Sequence, residues 1–269
     1  MNIAIINGKR TTAFSGGKAA CPFCDAPVIA KCGSRRVHHW AHKGRKSCNL
    51  GKENETEWHR SWKNKFPPEF QEFIQYDQSG EKHIADVRIN HGLVIEFQHS
   101  HLDPKERDIR ERFYKNMVWV VDGTRLGGDY PRFQKGIGGL TTTKRNGKIL
   151  VRYPEKCFPV DWLNSLVPVF FDFLGVVLTD AQDAQRQHLW CLHPNREDGN
   201  AVVTEMSRES FVEIATKGPQ VQHAPVPQAV TNEILRVPMM TIDPRFLKDL
   251  SRLIPGLIKR PPRRGSWRL

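Results

Sequence analysis

Apolar and β-branched residues are concentrated from Ile84 to Ser100, where the sequence reads IADVRINHGLVIEFQHS. Two such runs flank the triplet NHG, whose composition is typical of a tight turn. The pattern predicts a β-hairpin in which Ile89 pairs with Leu93. In that register Asp86 of the first strand lies directly opposite Glu96 of the second. Because side chains alternate between the two faces of a strand, the two carboxylates are expected to meet on adjacent strands.

A period of four residues marks the segment from Glu53 to Phe66. Trp58, Trp62 and Phe66 recur at i, i+4 and i+8, which predicts the buried stripe of an amphipathic helix. Asn54 is the predicted N-cap, because it precedes the periodic residues and Glu57 follows three positions later. Polar residues form a second stripe of the same spacing, namely Glu55, His59 and Lys63.

A second helix is predicted directly after the hairpin. Asp103 is a suitable N-cap, Pro104 takes the first helical position and Glu106 completes a capping box, while the helix ends near Asn116. The apolar run MVWVVDG then predicts a buried strand, and a further strand is expected at about 70–76. The resulting order of helix, three strands, helix and strand indicates an α/β sandwich with a mixed sheet.

The second half of the chain has weaker patterns. Residues 130–153 are rich in glycine and basic residues and predict a loop followed by a hairpin, while the apolar run 159–178 predicts a core helix and a strand. A further hairpin and a short helix are expected before a linker rich in Pro and Gln. We therefore divide the chain into a zinc-binding module (1–50), a nuclease core (51–130), an α+β C-terminal region (131–218), and a linker with a basic tail (219–269).

The positive charge is concentrated at the two ends of the chain. The net charge is +12, the first fifty residues hold nine Lys and Arg against one acid, and the last fifteen hold five basic and no acidic residues. Such ends attract polyanions, and nucleic acid is the leading expectation. There is no run of about 18 apolar residues and no signal-peptide pattern, so we expect a cytoplasmic protein without a membrane partner. The oligomeric state stays open.

Cysteine and histidine recur between residues 21 and 48. Cys21 and Cys24 are spaced as in knuckles that present two thiolates to Zn²⁺, and His39 and His42 would complete a Cys₂His₂ set. Other residues of the same segment are alternative ligands, namely His38, Cys32 and Cys48. A zinc ribbon or knuckle is therefore predicted, with a structural role, because the segment is too short to build its own core. A redox pair or unrelated buried cysteines are the other interpretation.

The two facing carboxylates predict a different metal site. Asp86 and Glu96 offer hard oxygen ligands of the type that Mg²⁺ or Mn²⁺ prefers. Both carboxylates stand on otherwise apolar strands, where burial without a partner or a metal ion would be costly. The hairpin is thus the candidate active site of a nuclease, with a buried pair to Arg or His as the purely structural alternative.

The blocks ETEWH, ADV, IEFQHS and RERFY before VWVVDG resemble the competence protein CoiA-like nucleases of the PD-(D/E)XK superfamily. The preceding CPFC and HHWAH are similar to the Cys-pair and His motifs found before the nuclease core in that family. The resemblance covers roughly residues 20–125. It implies a restriction-endonuclease-like core, in which helices flank a mixed sheet, and a Mg²⁺-dependent deoxyribonuclease that acts on DNA in uptake, recombination or defence.

The resemblance also implies roles for individual residues. Asp86 and Glu96 take the positions of the motif carboxylates, and Gln98 stands where most superfamily members carry Lys, as in the E-x-Q of the CoiA-like branch. Gln98 can orient a water molecule but has no titratable proton, so the general base is left between a metal-activated water, Glu55 and His59. Three basic residues are expected to contact phosphates, namely Lys63, Lys105 and Arg110.

Two other functions remain open from the sequence. One is a non-catalytic, zinc-dependent nucleic-acid-binding protein with a degenerate core. The other is an HNH-type nuclease centred on His38 or His39 with Asn49 or Asn54. The HNH alternative predicts that Glu96→Ala leaves activity intact and that His39→Ala abolishes it, whereas the hairpin site predicts that Glu96→Ala abolishes it.

Overall fold

The structure is a computed structural model that describes residues 1–34, 36–44, 55–77, 79–139, 142–145, 147–175 and 183–218. The first part of the chain forms a five-stranded antiparallel sheet with the strand order β2-β1-β3-β4-β5. Its strands are β1 (Ile3–Ile6), β2 (Lys9–Thr12), β3 (Lys18–Ala20), β4 (Pro27–Gly33) and β5 (Arg36–His42). Trp40 and Val28 are buried in the small core of this sheet.

The next segment has the predicted order of helix, three strands, helix and strand. Its elements are α1 (Glu57–Lys63), β6 (Gln71–Tyr76), β7 (Lys82–Arg88), β8 (Val94–Gln98), α2 (Pro104–Tyr114) and β9 (Met117–Asp122), with a 3₁₀ turn at Pro68–Phe70. The hairpin register is confirmed, since Ile89 N–H donates to the Leu93 carbonyl at 2.9 Å and Val87 pairs with Ile95. Strands β8 and β9 are parallel, whereas β6, β7 and β8 are antiparallel.

Helix ends follow the side chains that can cap them. Asp103 accepts a hydrogen bond from Lys105 N–H at 2.7 Å and Pro104 begins α2, as predicted, although Glu106 pairs with Arg110 and does not return to the cap. The start of α1 was predicted wrongly, because Thr56 is the N-cap and accepts from His59 N–H at 3.2 Å. The expected cap Asn54 lies outside the described residues.

The remaining elements extend the same sheet. They are α3 (Asp129–Ile137), β10 (Thr142–Arg145), β11 (Lys148–Val151), β12 (Val169–Asp172), α4 (Ala184–Gln187), β13 (His188–Glu197), β14 (Asn200–Ser207) and α5 (Arg208–Lys217), with 3₁₀ turns at Pro154–Lys156 and Val160–Trp162. The second sheet has nine strands in the order β10-β11-β14-β13-β12-β9-β8-β7-β6. Strands from 51–130 and from 131–218 are thus hydrogen-bonded into one sheet through the parallel pair β9 and β12.

The predictions for the second half were partly right. The expected hairpin is formed by β10 and β11, which pair antiparallel. Residues 129–137 form a helix that was not predicted, in which Tyr130, Phe133 and Ile137 supply a buried stripe. Gly136 there serves close packing, since a Cβ at this position would lie 2.4 Å from Cys157 Sγ. The core helix expected after Pro159 is not found in residues 159–175, which form a 3₁₀ turn and β12. The apolar residues of β12 are continuous because this strand is buried between two neighbouring strands.

Helices cover both faces of the large sheet. On one face α1 and α5 contribute Trp58, Trp62 and Phe211 to the core, and on the other α2 and α3 contribute Tyr114 and Phe133. The predicted α/β class with a large mixed sheet is therefore confirmed. Within the described residues, every helix is too short or too polar to cross a membrane.

Candidate functional site

A cavity of about 130 Å³ lies where the backbone pairing of β7 and β8 ends. Beyond the Val87–Ile95 pair, Asp86 N–H donates to Glu96 Oε1 at 3.3 Å, and Phe97 N–H donates to Asp86 Oδ2 at 3.0 Å. Side-chain oxygens of Asp86 and Glu96 thus accept the backbone hydrogen bonds that carbonyl oxygens accept elsewhere in the strand pair. These hydrogen bonds hold both carboxylates in place. The charged and titratable residues around the cavity are Glu55, His59, Lys63, Glu72, Asp86, Glu96 and Arg110.

Lys63 is the cation at the centre of this group. Its Nζ lies 3.1 Å from Glu55 Oε1, 3.0 Å from Glu72 Oε1 and 3.6 Å from Asp86 Oδ1, and the residue is only 3% exposed. Burial disfavours the ammonium, but the carboxylates outweigh it and raise the pKa of Lys63 above its usual value. A side chain enclosed in this way is part of the site, and it does not reach the surface as the expected phosphate contact would require.

His59 holds the other oxygen of Asp86. Its Nε2 lies 2.9 Å from Asp86 Oδ2, while Nδ1 is buried without a hydrogen-bond partner in the described part of the chain. Burial lowers the pKa of His59, but the charge and hydrogen bond of Asp86 more than offset this, so that the pKa is raised. Nε2 of the imidazole is therefore engaged with Asp86, which favours a positioning role for His59 over that of a general base.

Glu55 is committed to two cations. Arg60 Nη2 donates to Glu55 Oε2 at 2.8 Å, and Lys63 lies against Oε1. Burial opposes ionisation of the carboxyl, but Lys63 and Arg60 prevail and lower the pKa of Glu55 to about 2. Such a carboxylate has little tendency to accept a proton near neutral pH, which argues against a role as general base. Its contacts with Lys63 and Arg60 suit a role in holding Lys63 in place.

Asp86 and Glu96 have opposite electrostatic environments. Burial alone would raise the pKa of Asp86, but His59 and Lys63 hold it well below its usual range. Burial, and then the negative charge of Asp86, raise the pKa of Glu96 to about 8, although Arg110 donates to Glu96 Oε2 at 3.1 Å. Glu96 therefore tends to be protonated while Asp86 is ionised, and a second negative charge on the pair is disfavoured unless a further cation lies beside it.

Glu72 was not recognised from the sequence. It adopts a left-handed conformation with φ +47°, and its two oxygens accept from Asn2 N–H at 2.6 Å and Ile3 N–H at 2.8 Å. The same carboxylate contacts Lys63, so it joins the N-terminal sheet directly to the cavity. The available signal was a glutamate that alternates with Phe70 and Ile74 on one face of the predicted strand, where burial of a carboxylate needs a partner.

The remaining predicted residues lie at different places. Arg110 also binds Glu106 at 2.8 Å, so both sides of its guanidinium are engaged with carboxylates. Lys105 is exposed in the first turn of α2, where it is accessible to a phosphate. Gln98 is buried beside the site, and its amide donates to the Ser100 carbonyl at 3.0 Å; it is not among the residues that line the cavity.

The N-terminal sheet carries a second cluster of ligand atoms. Cys21, Cys24 and His42 place theirs within 4.8 Å of one another, and Cys24 Sγ lies 3.3 Å from His42 Nε2. A tetrahedral Zn²⁺ with usual bond lengths has S–N edges of about 3.6 Å, so these three residues fit a zinc ion. His39 was assigned to this set but lies outside it, because it is three residues from His42 on the same strand and therefore points to the opposite face.

The fourth zinc ligand is not found among the described residues. Cys32 is a partly buried free cysteine outside the group, and His38 is exposed on β5. Cys48, the remaining alternative, lies outside the described residues, as do Asn49 and Asn54 of the HNH alternative.

Comparison with known proteins agrees with the location of this cluster. Residues 12–51 match the model of a family described as the competence protein CoiA, N-terminal domain. No curated protein and no solved structure matches the chain. The matched segment contains β3, β4 and β5 with Cys21, Cys24 and His42. Residues 12–51 are therefore similar to a CoiA N-terminal domain, which supports the predicted resemblance of the chain to the CoiA family.

Proposed function

We propose that the protein is a metal-dependent deoxyribonuclease of the PD-(D/E)XK type, with its active site in the cavity between α1, α2 and the β7–β8 hairpin. The observation that carries the proposal is the pair Asp86 and Glu96. The partly buried carboxylate of Asp86 and the buried carboxylate of Glu96 lie side by side at the point where two strands stop pairing, and cations from both flanking helices surround them. Removing charged groups from water costs free energy, and such clusters of charged groups are typical of catalytic and binding sites.

The donor set fits Mg²⁺ or Mn²⁺. His59 and Phe97 N–H both contact Oδ2 of Asp86, so Oδ1 is the oxygen left for a ligand, together with the Glu96 carboxylate. Mg²⁺ is commonly held by one or two carboxylates and several waters, for which the cavity has room. When bound, such an ion activates a water molecule and polarises the scissile phosphate.

The cationic side chains around the cavity would then hold the two carboxylates in position and neutralise part of their charge. Lys63 supplies a fixed positive charge within 3.6 Å of Asp86, in a protein whose E-x-Q motif lacks a lysine on the strand. Arg110 keeps Glu96 in place from the opposite helix. The pKa of Glu55 is lowered to about 2 and both of its oxygens face cations, while Nε2 of His59 is engaged with Asp86, so we assign the two residues to the placement of Lys63 and Asp86.

The decisive experiment is cleavage of single- and double-stranded DNA with Mg²⁺ or Mn²⁺. Wild type is expected to cut, and Asp86→Asn and Glu96→Gln are expected to lose cleavage by roughly a hundredfold or more while still binding DNA. Glu69→Gln, an exposed glutamate after α1, is the matched control and should cut normally. Cleavage that survives in both site variants would exclude this cavity as the active site.

The second candidate function is a zinc-dependent nucleic-acid-binding protein without catalysis. It is favoured by the Cys21, Cys24 and His42 cluster together with the basic N-terminal fifty residues. DNA binding by wild type with no cleavage under either divalent ion would select this alternative. In both cases the family match is consistent with a role in competence-related handling of DNA.

A further inference from the structure

A second polar pocket lies at the carboxyl edge of the three parallel strands β8, β9 and β12. Its walls come from the residues that follow each strand, with His99 after β8 and Arg125 beyond β9, and from the first turn of α3, which contributes Arg132. Ligands of α/β proteins generally bind at the carboxyl ends of parallel strands, because the loops that leave them converge there. No role has been assigned above to this edge.

A buried carboxylate orients the histidine of this pocket. His99 Nδ1 lies 2.7 Å from Oδ2 of Asp122, whose side chain is 3% exposed. The other oxygen of Asp122 accepts from Thr124 N–H at 2.8 Å and from Thr124 Oγ1 at 2.6 Å. Because Asp122 is an acceptor on both oxygens, Nδ1 of His99 is the donor, and Nε2 is the ring nitrogen left for a ligand.

Three carboxylates also line the pocket, and each of them has a partner. Asp122 accepts from Thr124 and His99, Asp129 pairs with Arg132 at 2.8 Å, and Asp161 Oδ2 lies 3.6 Å from Nδ1 of His101. By contrast, Arg132 Nε is buried without a hydrogen-bond partner in the described residues, and the exposed Arg125 has no ion pair among them. Two guanidinium groups and an oriented imidazole with unused capacity suit an oxyanion, and phosphate is the oxyanion that arginine recognises best.

This pocket is adjacent to the proposed active site. The ring of Trp58 in α1 lies 6.4 Å from the ring of His59, which lines the carboxylate cavity, and 6.3 Å from the ring of His99. Gln98, which follows Phe97 of the cavity, is hydrogen-bonded to Ser100 of the second pocket. The proposed metal site and the second pocket are thus connected through the ring contacts of Trp58 and through neighbouring residues of β8.

We propose that His99, Arg125 and Arg132 form a subsite for a backbone phosphate of the nucleic acid that occupies the carboxylate cavity. The proposal rests on the proposed nuclease function, and it names the strand segment beside the scissile phosphate as the ligand. The His99 ring would then lie between Asp122 and the bound oxyanion. Nδ1 would donate a hydrogen bond to Asp122 and Nε2 would donate one to the oxyanion.

The test measures binding of a fluorescein-labelled 20-nucleotide strand in EDTA, where no cleavage occurs, over a series of KCl concentrations. Arg125→Gln and His99→Gln are expected to weaken binding roughly three- to tenfold, and Arg125→Gln is expected to reduce the slope against log salt by about 0.7. Arg112→Gln removes an equal charge from the exposed face of α2 and should bind within about twofold of wild type.

Binding by both pocket variants that equals that of Arg112→Gln would overturn the proposal. A titration with inorganic phosphate distinguishes a backbone phosphate from free phosphate as the ligand. If phosphate shifts the His99 ring resonances while Arg125→Gln has no effect on DNA binding, the pocket binds free phosphate and the nucleic-acid subsite is rejected.

Cleavage is measured in parallel. If wild type cuts DNA and Asp86→Asn does not, while the pocket variants bind and cut normally, the subsite proposal is rejected and the nuclease proposal is retained. If Arg125→Gln weakens DNA binding but wild type never cuts, the nuclease proposal is rejected.

Discussion

The ammonium nitrogen of Lys63 lies 3.6 Å from Oδ1 of Asp86, so a lysine of α1 places a positive charge beside the first carboxylate of the hairpin. Lys63 also contacts Glu55 and Glu72, and all four groups are largely buried. A cation shared by three carboxylates cannot be removed without leaving several buried negative charges unpaired. Lys63 therefore links the stability of the fold to the geometry of the candidate site.

Replacement of Lys63 by Met should destabilise the protein by about 3–5 kcal/mol, because it leaves buried carboxylates without their common partner. Urea unfolding followed by circular dichroism measures the change. Lys65→Met is the matched control, since Lys65 is exposed two residues further on, and its effect should stay below about 0.5 kcal/mol. Equal stability of Lys63→Met and Lys65→Met would contradict the observed ion-pair cluster.

Asp172 is expected to hold α1 in position against the sheet. Its Oδ2 accepts from Trp58 Nε1 and Trp62 Nε1, each at 2.9 Å, and its Oδ1 accepts from Arg208 of α5. Asp172→Ala leaves a buried arginine and two indole donors unpaired, so we expect a loss of about 3–5 kcal/mol, with a smaller loss for Asp172→Asn.

The control for Asp172 is Asp198→Asn. Asp198 is exposed in the β13–β14 turn at φ +52°, a conformation that Asn tolerates well. Its unfolding midpoint should match that of wild type. A midpoint for Asp172→Ala that is indistinguishable from this control would show that α1 is held by its other contacts.

Acid should destabilise the fold partly through His193. Burial, and then the charge of Lys148, lower the pKa of His193 to about 4. A depressed histidine pKa means that the unfolded chain binds a proton below about pH 6.5 while the folded chain does not, so stability falls as the pH decreases from about 6.5 to 4. The contribution is at most about 1.4 kcal/mol per pH unit.

His193→Gln removes this titration. We expect its free energy of unfolding to depend less steeply on pH than that of wild type between about pH 6 and 4.5, whatever its constant offset from the lost Thr204 hydrogen bond. Urea unfolding at several pH values measures both slopes. Identical slopes for wild type and His193→Gln would refute the prediction.

Zinc content should distinguish His42 from His39. Purified wild type is expected to contain about one zinc per chain, and Cys24→Ser and His42→Ala should lose most of it, because these side chains form the ligand group. His39→Ala should retain zinc, since its side chain lies on the other face of β5. Elemental analysis after dialysis gives the answer, and loss of zinc in His39→Ala with retention in His42→Ala would reverse the assignment. Cys48→Ser tests the fourth ligand.

Local sequence signals determined several elements of this protein. Alternation and the NHG turn set the β7–β8 register, the Asp103-Pro104 start defined α2, and the spacing of Cys21, Cys24 and His42 located the ligand cluster. Each of these depends on residues close together in the chain. The pattern of Glu55, His59 and Lys63 also indicated one helix face, which the structure directs into the cavity.

Only the tertiary structure decided the relationships between distant segments. It brought Glu72 to the backbone of Asn2 and Ile3, placed Lys63 among three carboxylates, and paired Asp172 with tryptophans more than a hundred residues away. Such contacts depend on which strands become neighbours, and sequence periodicity carries no information about that order. The sequence thus specified the two carboxylates of the hairpin, whereas the packing of two helices around them decided which cations they meet.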